Sequence, residues 1–286
     1  MKIAACVILY NPKEKDLNNI LSYLPKVDKL YIYDNTENKK TIIPFENDNK
    51  IVYFSDFENK GLSVRLNQAC QEALSDGFEF LMTMDQDSSF ITENLDYYFD
   101  DIKNYSNKAA VGIFGLEYSS ENRIANAKNI ISAEVHSLIT SGSVINLNHF
   151  NAIGGFDENL FIDGVDFDYC FAVLKKGLKC ILFKNNFLKH SLGVKTKRAS
   201  IKTFYLIKKE KQLHSPIRIY YIIRNMLYLE KKYGLLFPTF IRERKKRYSS
   251  QIFSNLLYQK NIFILFKYRL KAINDFKKNK MGKIEF

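Results

Sequence analysis

Hydrophobic positions in the first hundred residues follow two rhythms. Ile3–Leu9 is an unbroken apolar run, the mark of a parallel strand buried on both faces. Tyr10-Asn11-Pro12 breaks it. From Lys15 to Leu24 the apolar residues Leu17, Ile20, Leu21 and Leu24 are helically spaced, and Pro25 stops the pattern. Leu30–Tyr33 reads as a second strand ending in the turn Asp34-Asn35-Thr36, and Ile51–Phe54 as a third. Gly61 opens a helix with Leu62, Leu66, Ala69, Ala73 and Leu74 on one face, and Gly77 ends it. Phe80–Met84 is a fourth strand, cut off by two carboxylates one residue apart, Asp85 and Asp87.

This alternation predicts an α/β fold with a mostly parallel sheet covered by helices. The strand-end loops carry Asn11, Asp34, Asn35, Asn59 and Asp85, which would converge on one crevice at the carboxyl edge of the sheet. A nucleotide suits such a crevice, because Asp and Asn side chains pair with base edges and ribose hydroxyls. Asp85 and Asp87, two apart on an extended segment, point the same way. They would form a hard oxygen site for Mg²⁺ or Mn²⁺ held jointly with substrate phosphates. A polar turn that merely ends a strand has the same letters, so the motif alone does not decide. No G-x-G-x-x-G follows the first strand and no Walker loop occurs, which argues against dinucleotide and P-loop chemistry.

Further on, Ala109–Leu116 reads as a strand with Gly112 and Gly115. Ser137–Asn146 reads as another, interrupted by Ser141-Gly142, where a glycine marks close approach of a ligand. Gly154-Gly155 is a tight turn. Asp163, Asp166 and Asp168 put three carboxylates within six residues among apolar neighbours, a costly arrangement unless metal, substrate or hydrogen bonds compensate. A helix over Asp166 to Lys176 would welcome acids in its first turn, which accounts for one Asp more readily than for three. Lys179–Phe183 reads as a strand followed by a short polar loop. That loop leads to His190, a candidate nitrogen ligand returning to the carboxylate crevice.

Charge changes the picture of the remainder. The net +12 divides very unevenly: residues 195–286 hold 24 Lys+Arg against 5 Asp+Glu, and residues 1–194 hold 19 against 26. A basic tail on an acidic body implies an anionic partner, either nucleic acid or an anionic membrane surface. Nucleic-acid binding without catalysis would explain the tail but not the acidic crevice, and no recognition motif appears. Ile217–Leu229 is apolar and aromatic with Arg218 and Arg224 interspersed, Arg242–Arg247 is a basic cluster, and Asn261–Lys271 is apolar with basic flanks, a pattern that suits helices lying on an anionic leaflet. Alternatively, Phe263, Phe266 and Leu270 pack on the body. No stretch approaches the ~18 apolar residues of a membrane span. The start of the chain has no signal-peptide pattern, and the four cysteines have no metal spacing. Both point to the reducing cytoplasm. A phosphotransferase with an aspartate nucleophile also uses Asp-x-Asp, but on its first strand rather than its fourth.

These motifs, in this order, resemble the family 2 glycosyltransferases of the GT-A fold, and most closely their bacterial rhamnosyltransferase-like branch. The resemblance rests on Val7–Pro12, Tyr33–Thr36, Asn59–Leu62, Asp85–Ser88, Ser141–Ser143, Gly154–Glu158, Phe161–Asp166 and His190–Gly193. In the tail it rests on Tyr220–Asn225, with its Arg-Asn pair, and on Lys271 to Gly282. It implies a catalytic domain over 1–195, with a nucleotide-sugar-binding half (1–100) and an acceptor half (101–195). A basic helical region follows over 196–286. It implies that Tyr10, Asn11, Asp34, Asn35, Asn59 and Gly61 hold the nucleotide, with Arg65 near the diphosphate or base and Arg224 also on the donor side. Ser141 and Gly142 would border the donor sugar. Asp85, Asp87 and His190 would bind Mn²⁺ or Mg²⁺, and Asp166 would be the catalytic base, with Asp163 and Asp168 as competitors. The implied reaction is inverting transfer from dTDP-rhamnose or a UDP-hexose such as UDP-galactose or UDP-glucose. The implied acceptor is a lipid-linked bacterial surface polysaccharide, of capsule, O-antigen or exopolysaccharide type, at the inner face of the cell membrane.

Overall fold

The apolar run Ile3–Leu9 forms β1, in the middle of a nine-stranded sheet. In the computed structural model, which describes residues 1–38, 41, 43, 47–119, 123, 131–190, 195–199, 204, 206–258 and 261–285, the chain divides into two units. One comprises Met1–Glu158 with Val165–Ser191; the other comprises Asn159–Gly164 with Leu192–Phe286.

In the first unit, β1 leads through α1 (Glu14–Ile20) to β2 (Lys29–Asp34) and then β3 (Ile51–Ser55). Next come α2 (Gly61–Ser75), β4 (Phe80–Asp85), β5 (Ser88–Ser89) and α3 (Thr92–Asn104). β6 (Val111–Ser119), β7 (Ser132–Glu134), β8 (Ser143–Asn146) and α4 (Phe150–Ile153) follow, then α5 (Val165–Lys175) and β9 (Lys179–His190). The strand order is β3-β2-β1-β4-β8-β6-β9-β5, with β7 on β9. β3, β2, β1 and β4 are parallel, as the apolar runs predict. β8 runs antiparallel between β4 and β6, and β6 and β9 are again parallel. Side chains of β1, β2, β4, β6 and β9 and of α1 and α3 form one continuous core.

Three elements differ from the sequence reading. The first helix stops at Ile20, and the chain tightens into a 3₁₀ turn at Leu24–Lys26. The strand expected over Ser137–Asn146 exists only from Ser143. Gly142 adopts φ +76° and its N–H donates to Thr83 O at 2.7 Å, so the preceding residues turn across the end of β4. The polar loop expected before His190 is strand. The β6/β9 register skips from Leu116↔Phe183 to Glu117↔Phe187, so Lys184–Asn186 bulge out and pairing then resumes.

The second unit contains the two-stranded antiparallel ribbon β10 (Lys195–Arg198) and β11 (Lys209–Gln212). Its helices are α6 (Pro216–Tyr233), α7 (Pro238–Tyr258) and α8 (Ile262–Lys277). Ser215 caps α6 through Arg218 N–H, with Pro216 in the first turn where its missing N–H costs nothing. Asn261 caps α8 through Ile264 N–H. Ile219, Ile222 and Leu265 pack with Tyr248, Ile252 and Leu256 in one cluster. Tyr220, Tyr221 and Ala272 pack with Phe161, Ile162, Tyr268 and Ile284 in another. Phe263, Phe266 and Leu270, expected either to pack or to face a membrane, are exposed, Phe263 by 85%. Among the described residues no helix is long and apolar enough to cross a membrane.

Candidate donor and catalytic site

The carboxyl ends of β1, β2 and β4 are stitched together by their own motif residues. Gln86, between the two aspartates, accepts from Tyr10 N–H through Oε1 at 2.8 Å and returns a longer bond to Tyr10 O. Asn19 donates to Gln86 O at 2.9 Å. Asn11 takes φ +46°, a left-handed conformation that Asn tolerates, and its N–H donates to Thr36 Oγ1 at 2.8 Å. Asn35 N–H closes the edge onto Leu9 O at 2.8 Å. Tyr10 and Asn11 are exposed at this rim.

Beneath it lies a buried polar layer. Asp34 Oδ1 accepts from Thr36 N–H at 2.8 Å, and its Oδ2 accepts from Tyr53 O–H at 2.8 Å. Burial and the bond to Asp34 push the Tyr53 phenol up to about 12, so it stays a donor. Asn35 donates to Gly61 O at 3.2 Å, and its Oδ1 accepts from Lys60 N–H at 3.3 Å and Arg65 Nε at 2.8 Å. Arg65 is fully buried. It also bonds Gln68 Oε1 and Glu58 O, each at 2.9 Å, and is paired with Asp56. Asn59 Oδ1 caps Gly61 N–H at 3.1 Å. Asp34, Asn35, Asn59 and Arg65 thus gather at one place, with these bonds holding the β2 turn and the entry to α2. Sequence reading missed Gln86, Thr36, Tyr53 and Asp56. Gln86 and Thr36 lie inside motifs already picked out; Tyr53 and Asp56 carry no local signal.

Asp85 ends β4, its N–H donating to Ser141 Oγ at 3.1 Å. Ser141-Gly142 therefore lies beside the aspartate motif. The antiparallel pairing Ser88↔His190 brings the His190 backbone opposite the residue that follows Asp87. The His190 side chain and Ser191–Gly193 lie outside the described residues. Among the described residues no group of three or more metal-ligating side chains gathers. Asp85 and Asp87, partly exposed at one strand end, nonetheless supply the hard oxygen donors that Mn²⁺ or Mg²⁺ takes alongside phosphates. That donor set fits such an ion.

The three later carboxylates are distinct. Asp168 is 2% exposed in the first turn of α5. Asp166, in the same turn, is partly exposed, and its Oδ1 accepts from Phe167 N–H at 2.9 Å. Asp163 belongs to the second unit, at φ +62°, and its Oδ1 accepts from Arg218 at 3.1 Å. Arg224 is buried in that unit. Its guanidinium bonds Tyr220 O–H at 3.0 Å, Asn225 Oδ1 at 3.2 Å, and the carbonyls of Lys280 and Gly282 at 3.4 and 2.7 Å.

A mixed, mostly parallel sheet with helices on it, and an Asp-x-Asp motif at the end of its fourth strand, is the GT-A glycosyltransferase arrangement. Solved structures agree on the fold. GalNAc-T7, crystallised with UDP, GalNAc and Mn²⁺, matches 97% of this chain with a TM-score of 0.61 at 12% identity. The chain spans 56% of the length of that structure. S. aureus TarS 1–349 in complex with UDP-GlcNAc matches 97% of this chain and 73% of its own, with a TM-score of 0.52 at 15% identity. No family model matches. A curated relative, the dTDP-rhamnosyl transferase RfbF of Shigella flexneri, is 28% identical over 258 residues, covering 84% of each chain. The chain thus has the GT-A glycosyltransferase fold and is similar in sequence to a rhamnosyltransferase, in line with the resemblance its motifs carry.

Proposed function

We propose that the protein moves a sugar from dTDP-rhamnose or a UDP-hexose to a hydroxyl of a lipid-linked surface polysaccharide, with inversion at the anomeric carbon. The observation that best supports this is the meeting of Tyr10-Asn11, the Asp34–Thr36 turn, Asp85–Asp87 and Ser141-Gly142 at one sheet edge. Tyr10 and Asn11 would meet the base at the rim, with the buried Asp34–Asn35–Arg65 layer keeping the β2 turn in shape. Ser141 and Gly142 would border the donor sugar. Asp85, Asp87 and His190 would hold a divalent cation that, when bound, offsets the charge of the departing nucleoside diphosphate.

Asp166 is the base of choice. It lies partly exposed at a helix start, whereas Asp168 is buried and Asp163 is committed to Arg218. It would take the proton from the acceptor hydroxyl as that oxygen attacks, a contribution typically of ~10²–10⁴-fold. The basic helices would rest on the inner face of the cell membrane, where a lipid-linked acceptor is presented.

The test is thermal denaturation with UDP, dTDP and their sugar conjugates, with and without Mn²⁺ or Mg²⁺, followed by transfer assays with each stabilising donor. A ligand that binds only the folded protein raises its melting temperature. Metal-dependent stabilisation by one nucleotide class identifies the donor; no stabilisation by any member, together with no transfer, rejects the reading.

A further inference from the structure

The six residues Asn159–Gly164 belong to the helical second unit, although the chain on both sides of them belongs to the first. The residue after them, Val165, opens α5, and Asp166 follows. How the second unit holds these six residues therefore bears on Asp166 through a single intervening residue, Val165.

The hold is extensive. Asn225, on α6, donates through Nδ2 to two successive carbonyls, Ile162 O at 2.7 Å and Asp163 O at 2.8 Å. Arg218, two turns earlier on α6, bonds the Asp163 carboxylate at 3.1 Å. Phe161 stacks on Tyr221 with centroids 5.4 Å apart. Gly164 stands so close to Leu229 that an added Cβ would lie 3.1 Å from Leu229 Cδ1. Asn159 O accepts from Gly282 N–H at 2.9 Å. Arg224 then closes a circuit: it bonds Asn225 Oδ1 on one side and the Lys280 and Gly282 carbonyls on the other. Ile284 N–H adds a bond to Tyr221 O–H at 2.9 Å.

Asp163 needs this hold. It is a non-glycine residue at φ +62°, followed by Gly164 at φ +89°, and its buried Oδ2 has no hydrogen-bond partner. Strained backbone of this kind persists only where its surroundings over-determine it. Asn is suited to the task because one NH₂ group satisfies two adjacent carbonyls while its oxygen accepts from the arginine beside it.

We infer that Asn225 is a positioning residue for Asp166, and that Arg224 acts one step behind it by locking the 280–284 segment onto α6. The Arg-Asn pair thereby serves the catalytic loop rather than the donor. This rests on Asp166 being the base.

The test compares Asn225→Asp, which keeps size and acceptor but loses the donor, with Leu265→Ala, which weakens the helical core without touching the 159–164 segment. Arg218→Ala, at a half-exposed side chain, is a milder second variant. Steady-state turnover is measured with whichever of dTDP-rhamnose or UDP-galactose the wild type uses, at a temperature where all variants stay folded. Hydrogen exchange across 159–166 is read in parallel. Asn225→Asp should lower kcat on the order of 10²-fold, the scale of a small misplacement. Donor KM should hold, and exchange should quicken in 159–166. Arg218→Ala should shift both in the same direction but less. Leu265→Ala should lower the melting temperature and leave kcat near wild type. Retained kcat in Asn225→Asp, a matching kcat loss in Leu265→Ala, or a loss appearing in donor KM would each overturn the assignment. If Asn225→Asp does not fold, Arg218→Ala with unchanged kcat and exchange overturns it. A wild type that neither binds nucleoside diphosphate nor transfers sugar fails at the earlier step, and is told apart by that.

Discussion

Arg65 Nε donates to Asn35 Oδ1 at 2.8 Å from a fully buried guanidinium, so the first residues of α2 and the turn after β2 are fixed as one piece. The same guanidinium is ion-paired to Asp56. Replacing Arg65 by Met would leave Asp56 and Asn35 facing an apolar side chain. Removing one partner of a buried pair costs about 3–5 kcal/mol, and the lower end applies because Asp56 keeps some solvent contact. Urea unfolding of Arg65→Met should show this loss. A shift below 1 kcal/mol would mean that the pair contributes little net stability.

The same pair sets an acid limit. Burial works to raise the Asp56 carboxyl, but hydrogen bonds from Arg65 and Lys60 outweigh it and hold the group well below the usual carboxylate range. A depressed folded pKa contributes stability above the unfolded value of ~3.9 and loses it as pH falls through the folded value. Stability should therefore fall below about pH 4. In Asp56→Asn the neutral-pH stability should be lower and the acid slope flatter. An unchanged slope in that variant would assign the acid limb to other carboxylates.

Ser88 pairs with His190, and Asp87 is the residue before that pair. If Asp87 holds the cation, Asp87→Ala should abolish the Mn²⁺-dependent part of nucleotide stabilisation. It should also lower kcat/KM on the order of 10²-fold or more, since metal charge stabilisation supplies several kcal/mol. Chelation should mimic the variant in wild type and add nothing to it. A variant still responding to metal as wild type does would remove Asp87 from the ligand set.

Much of this edge could be read from the letters, because each N-terminal strand is an apolar run that stops at polar residues. Ile3–Leu9 is bounded in the structure where the pattern bounds it, and the strand read as Phe80–Met84 runs one residue further, to Asp85. β9 was harder: Lys184, Asn185 and Asn186 look like a loop, and pairing with β6 and β5 carries the strand past them. Ser137–Gly142 failed for the opposite reason, an apolar stretch turned aside by a left-handed glycine. Arg224 is picked out by its motif, but its contacts could not be read. Two of its partners are main-chain carbonyls more than fifty residues away, and carbonyls carry no sequence signal.

Asp166→Asn tests the proposed base. The amide matches the carboxylate in size and keeps an oxygen to accept from Phe167 N–H, so the start of α5 should survive. Turnover should fall ~10²–10⁴-fold while donor affinity is preserved. Wild-type turnover in this variant would return the role to Asp163 or Asp168, and Asp163→Asn and Asp168→Asn would then be compared directly.

Gly142 permits the turn beside Asp85. An alanine there would take φ +76°, and its Cβ would lie 2.7 Å from Leu116 Cδ2. The backbone strain alone is worth ~1–3 kcal/mol, and Leu116 must also move. Gly142→Ala should lower the melting temperature and, because Gly142 N–H bonds Thr83 O two residues before Asp85, weaken nucleotide binding too. Wild-type affinity in a destabilised variant would separate the turn from the donor site.

Ile262, Phe266 and Leu270 recur every four residues on α8, and all three are exposed, Leu270 by 67%. Phe263 stands beside them, and Lys267 and Arg269 are exposed on the same helix. An apolar stripe edged by cations matches an anionic leaflet, with rings and methyls entering the acyl boundary while Lys and Arg meet headgroups. Each large side chain fully buried there contributes ~1.5–3 kcal/mol, so Phe263→Ser with Leu270→Ser should weaken binding to phosphatidylglycerol vesicles by at least about 10²-fold. Raised salt should weaken wild-type binding as the basic contribution is screened. Transfer to a water-soluble acceptor should continue at the wild-type rate, since neither residue is among those proposed to hold the donor or take the proton. Vesicle binding that survives both substitutions would move the contact elsewhere, with the fully exposed Leu235 between α6 and α7 as the next place to cut.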